Sequence, residues 1–179
     1  MPGKKDSLIV GFHSKIECKS FNGCGPTFFD MIGTGHKGSN VREVPAQLFV
    51  ETLAKHLEKT GLIKAPEWSD LVKTASFKEM PPNNNNWFYI RAASIARQVY
   101  LNPHTSVESL RNRYGGKVDY GHCPSHHGKC SGKVIRSCLA QLKKIEWIQE
   151  TDEGCVITKK GQKQLDVLSQ EIAKSRTQE

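Results

Sequence analysis

Between Gly121 and Cys130 the chain reads GHCPSHHGKC, which sets His122, Cys123, His126, His127 and Cys130 within ten residues. Zinc takes four ligands of these types, and structural sites draw them from a C-x₂₋₄-C pair with a second pair further along. Cys123 and Cys130 are spaced too widely for such a pair, and no second pair follows. Cys123 beside His126 also has the makings of a nucleophile and its base. Neither an orienting acid nor an oxyanion-hole pattern accompanies them. On spacing alone the favoured reading is a basic loop with incidental thiols, without metal, cofactor or catalysis. Cys18 and Cys24, near His13 and His36, form a weaker zinc set still.

The second chemistry is cationic. From Asn86 to Lys144 there are ten Lys/Arg residues and two acids, Glu108 and Asp119, so this third of the chain carries the whole formal charge of +8. The remainder is balanced. A concentrated basic block is the electrostatic footprint of an anionic partner, most often a nucleic acid. The bland alternative is a solvated basic surface.

Within that block lies NWFYIRAASIARQVYL, residues 86–101. On a helical wheel, Phe88, Tyr89, Ala92, Ala93, Ile95, Ala96, Val99 and Tyr100 fill a broad apolar arc, which predicts a largely buried central helix. Arg91, Ser94, Arg97 and Gln98 share the narrow remaining sector with Trp87, Ile90 and Leu101. No Asp or Glu occurs between Glu79 and Glu108, so neither arginine has a carboxylate three or four residues away on its own helix. An unpaired charge in a mostly buried helix is costly. Two readings follow. Either a carboxylate or carbonyl from another element answers each arginine, or the seam opens onto phosphates, which a guanidinium binds in a bidentate fashion. The cations that follow favour phosphate.

The elements that must position these residues are mostly helical. Residues 1–40 hold seven of the fifteen glycines and read as an extension, flexible or loosely packed. VPAQLFVETLAKHLEKTG places Pro45 at a helix start and Gly61 past its end. Leu48, Phe49, Thr52, Leu53, His56 and Leu57 fall at helical spacing. APEWSDLVKTA predicts a short helix with Trp68, Leu71 and Val72 inward. Asn86 is a candidate N-cap for the central helix. Thr105 and Glu108 form a candidate capping box for a helix that stops at Gly115. A Gly-, His- and Lys-rich loop precedes a helix over about Ser131–Ile145. EWIQETDEGCVIT predicts a hairpin turning at Asp152–Gly154, and Thr158 caps a last helix to about Ala173. The fold class is thus mainly α with a small antiparallel β-hairpin, a winged-helix-like domain around a central helix. Its boundaries are residues 41–174, with a tail at 175–179. No apolar run reaches membrane-span length, and the short LIV at Leu8–Val10 is no secretory core. An intracellular, reducing setting with free thiols is the expectation.

VPAQLFVETLAKHLEKTG, KAPEWSDLVKTA, NWFYIRAASIARQVYL, YGG, PSH and SGKVIRSCLAQL stand here in an order and spacing that resemble the small-subunit ribosomal protein S-nineteen-e family of eukaryotes and archaea. The resemblance covers about Val41 to Lys174. It departs at Cys138, at Ala140–Gln141 and at His127. It implies a non-enzymatic constituent of the small subunit, bound to ribosomal RNA of the 3′ domain in the head and supporting precursor maturation and assembly. Neighbouring ribosomal proteins and assembly factors are the implied partners, with no membrane. The cytosolic ribosome is the implied location, with nucleolar assembly in a eukaryote. Arg91 and Arg97 match the family's central-helix arginines and Arg136 its later basic residue. Arg111, Arg113, Lys117, His126, Lys129 and Lys133 complete the RNA-facing set. The competing reading is a winged-helix DNA regulator, but SGKVIRSCLAQLKKI offers few base-reading side chains.

Overall fold

The computed structural model describes residues 40–176. The sequence expectations for residues 1–39, including the glycine-rich extension and its cysteines, lie outside the described residues. Helix α1 spans Ala46–Thr60 and buries Phe49, Leu53, Ala54 and Leu57 along one stripe. Leu48, expected on that stripe, is 43% exposed. Pro45 occupies the N-cap position, and Gly61 closes the helix in the left-handed conformation at φ 62°, returning its N–H to the Glu58 carbonyl.

The expected short helix is a five-residue 3₁₀ turn, Glu67–Leu71. The chain leaves it in extended conformation at Val72, so helical spacing does not carry through. Val72 and the half-buried Trp68 pack on the core, but Leu71 is 87% exposed, contrary to the wheel.

Helix α2, Trp87–Leu101, is the central element and packs against α1 and against the helix over Gly132–Lys144. Phe88, Ala92, Ala93, Ile95, Ala96 and Val99 are buried as the apolar arc requires, and Trp87 and Gln98 from the seam are buried with them. Asn86 stands at the N-cap position without capping. Its amide instead donates to both carboxylate oxygens of Glu58, at 2.9 and 2.8 Å, and so ties α1 to the start of α2.

Helix α3 is Val107–Arg113. Its cap is Ser106, whose Oγ accepts from the Ser109 N–H at 3.1 Å, one residue later than the Thr105 box predicts. Thr105 is used elsewhere: its N–H and carbonyl pair with Cys155. Glu108 turns outward to two cations described below.

The segment read as a loop is an antiparallel hairpin, β1 Gly116–Tyr120 and β2 Cys123–Gly128, in which Lys117 faces His127 and Val118 faces His126. Neither strand has a buried residue, so no apolar alternation announces it. Its root is held by close packing: a Cβ on Gly128 would lie 2.9 Å from the Phe77 ring.

Helix α4, Gly132–Lys144, buries Val134, Ile135, Cys138, Leu139 and Leu142 against α2 and α3. The wing follows as β3 Ile148–Thr151 and β4 Gly154–Ile157. Gly154 sits at φ 143° with the His104 carbonyl 2.8 Å from where a Cβ would be, which lets the wing close on the α2–α3 connection. Helix α5, Lys159–Arg176, runs three residues past the expected Ala173. Thr158 caps it, accepting from the Gly161 N–H at 3.2 Å. The architecture is mainly helical with small antiparallel hairpins around a central helix, in keeping with a winged-helix-like fold. Among the described residues no helix is long and apolar enough to cross a membrane.

Candidate nucleic-acid interface

Arg91 and Arg97 lie on the seam of α2 that faces the end of α3. The Arg91 guanidinium rests on the Tyr114 ring, 4.4 Å from its centroid. The hydroxyl of Tyr114 is 2.8 Å from Ser94 Oγ, which fixes the ring over the seam. Burial raises the Tyr114 phenol pKa, and the Ser94 hydrogen bond and the Arg91 charge oppose the rise. Arg97 Nε is buried and makes no hydrogen bond among the described residues. Burial first, and then the charge of Arg113, lowers the Arg97 pKa from its ordinary value. The ion pairs among the described residues include neither Arg91 nor Arg97. The carboxylate partner from another element, one of the two expected answers, is therefore not found there. An aromatic ring answers Arg91, and Arg97 is set near a second arginine.

A second cluster forms where α3, the end of the hairpin and the start of α4 meet. Glu108 binds Arg111 at 3.1 Å and also receives the Lys129 ammonium. The Lys129 hydrogen bond is the main cause that lowers the Glu108 carboxyl pKa, with Arg111 adding to it. Arg111 also donates from Nε to the Cys130 carbonyl at 3.2 Å. Arg136 joins them: a Cβ on Gly132 would meet Arg136 Nη1 at 2.8 Å and Arg111 Cδ at 3.4 Å. Two of the predicted cations, Arg111 and Lys129, thus share one acid, with Arg136 close by. Lys117 and His126 stand exposed on the hairpin, where His126 packs edge-on to Tyr120 at 5.7 Å. Arg113 is exposed at the end of α3. Lys133 is set apart, its ammonium 5.0 Å above the Trp68 ring.

The Cys/His segment is dispersed. Cys123 is exposed on β2 whereas Cys130 and Cys138 are buried, and burial pushes the Cys138 thiol up to about 12. A buried thiol of that kind acts as a small apolar side chain. Among the described residues no group of three or more His, Cys, Asp or Glu side chains converges as a metal site would need.

The sequence did not reveal that Tyr114 organises the seam. Its signal was present only as the first residue of YGG. Lys78 was missed as well, and it lines the same cleft as Arg91.

Comparison with known proteins gives a consistent assignment. The chain is 42% identical over 138 residues to the small ribosomal subunit protein eS19G of Ascaris suum, covering 76% of this chain and 93% of that protein. It is 42% identical over 139 residues to small ribosomal subunit protein eS19 of Entamoeba histolytica, covering 78% and 90%. It is 41% identical over 130 residues to small ribosomal subunit protein eS19B of Schizosaccharomyces pombe, covering 72% and 91%. The sequence model described as Ribosomal protein S19e matches residues 40–175, nearly all of the described residues, and the chain belongs to that family.

Proposed function

We propose that this protein is a structural, non-enzymatic constituent of the small ribosomal subunit that holds ribosomal RNA against the face formed by α2, α3, the β1–β2 hairpin and the start of α4. Family membership supports the ribosomal setting. The observation that carries the RNA face is the pair Arg91 and Arg97, half-buried on one seam without a carboxylate partner among the described residues. A half-buried guanidinium without an acid beside it is costly, and phosphate supplies the anion that the described residues do not. Arg111, Arg113, Lys117, His126, Lys129, Lys133 and Arg136 extend the positive field over several elements. That spread suits irregular RNA recognised by shape and not a single helix reading a DNA groove. The bound RNA is the 3′ domain in the subunit head, and the protein supports precursor maturation there beside neighbouring proteins and assembly factors. It works in the cytosolic ribosome, with nucleolar assembly in a eukaryotic cell.

The test is binding to a 3′-domain RNA fragment over a salt series, with co-sedimentation on small subunits at moderate salt. Log affinity is expected to fall linearly with log salt, and Arg91→Glu and Arg97→Glu should lower subunit incorporation more than thermal stability. Affinity that hardly responds to salt, or a preference for duplex DNA over the RNA fragment, would overturn the reading.

A further inference from the structure

Two clefts of similar size flank the start of α2. One, about 520 Å³, is lined by Glu51, Lys55 and Glu58, so that acids outnumber cations. The other, about 570 Å³, lies between the 78–84 segment, α2 and Tyr114, and its lining includes Lys78, Asn84, Trp87, Arg91 and Ser94 but no carboxylate. Its wall is therefore mixed in a particular way: the Lys78 ammonium, a largely buried indole, and the Arg91 guanidinium already held over a phenol ring.

A small anion needs the cations but not the apolar wall. An apolar ligand needs the wall but gains nothing from an arginine kept clear of acids. A nucleotide uses both, because the planar guanidinium takes a base face and the ammonium takes a phosphate. The cleft also adjoins the hairpin. Tyr114 leads directly into Gly115 and Gly116, and Phe77, next to Lys78, packs so closely on Gly116 that a Cβ there would lie 3.1 Å from its ring. A strand following Lys117 down the hairpin thus arrives at the cleft mouth.

We propose that this cleft receives one unstacked nucleotide of the bound RNA, its base extending the Arg91–Tyr114 stack and its phosphate lying toward Lys78. The proposal rests on the RNA face argued above and adds to it a base-binding position. Isotope-labelled full-length protein titrated with millimolar adenosine 5′-monophosphate, and separately with inorganic phosphate, tests it by NMR. The nucleotide is expected to shift the Trp87 indole and the Arg91 and Ser94 resonances, and phosphate is expected to leave Trp87 unmoved. Arg91→Lys keeps the charge and loses the plane. It should weaken nucleotide binding by about tenfold. Equal shifts with phosphate, or equal nucleotide binding by Arg91→Lys, would reduce the cleft to an anion site and sink the proposal. Silent cleft resonances in a protein that still binds the RNA fragment would overturn the nucleotide position and leave the RNA face standing. Loss of both would remove the two together.

Discussion

The Arg91 guanidinium sits over Tyr114, with Cζ 4.4 Å from the ring centroid. A cation over an aromatic face is attracted by the ring quadrupole, but its N–H groups are not consumed as they would be by a carboxylate. Arg91 is thereby oriented and still able to donate. Ser94, one turn on, holds Tyr114 in place through the hydroxyl contact at 2.8 Å. The seam of α2 is built to present donors without neutralising them.

Arg97 gives the sharpest test of that trade. Its buried Nε lacks a partner among the described residues and its charge is opposed by Arg113. Arg97→Met keeps the length and removes the charge. The free protein should gain ~0.5–2 kcal/mol of stability, read from denaturant midpoints, while affinity for the RNA fragment falls. A less stable variant would mean that Arg97 serves the fold.

Trp87 tests the boundary between core and interface. It is 8% exposed and meets Phe88 edge-to-face at 5.9 Å. Emptying a buried Trp site costs ~3–5 kcal/mol, so Trp87→Ala should lower the melting temperature substantially. An unchanged melt with a several-fold loss of RNA affinity would assign Trp87 to binding alone.

Glu108 restrains two predicted RNA contacts, Arg111 and Lys129. Glu108→Gln releases both, so RNA affinity should rise at low salt. The salt slope should steepen by about 0.9 for each cation that then reaches a phosphate. The acid limb of stability should change as well. The Glu108 pKa is lowered on folding. Its contribution is therefore present above the unfolded carboxyl pKa and is lost as pH falls through the folded value. The variant should lose less stability than the parent over that acidic window, as followed by thermal melts from neutral to acid pH.

At the start of the described residues Val41 is fully buried and Val44 nearly so. The family match begins at residue 40. A chain starting at Ser39 should therefore melt cooperatively near the full-length temperature. A large drop would show that earlier residues complete the core.

The sequence alone determined the features that depend on near neighbours. The 3.6-residue period of Phe49, Leu53 and Leu57, the buried arc of α2, Gly61 as a helix stop and the turn at Asp152–Gly154 are short-range patterns set by backbone geometry and burial. It also showed that Arg91 and Arg97 lack acids on their own helix. What they meet instead was decided by packing: the Tyr114 ring is brought over Arg91 only when α3 folds back across α2. The N-cap moved from Thr105 to Ser106 because a bridge to Cys155, far along the chain, takes up the Thr105 backbone. The β1–β2 hairpin was invisible because a ribbon exposed on both faces has no apolar alternation, and its register rests on glycines packed against Phe77. Asn86 likewise abandons its cap for Glu58. Each reversal joins residues distant in sequence, where a tertiary partner outweighs the few tenths to about 2 kcal/mol that a cap or local propensity supplies.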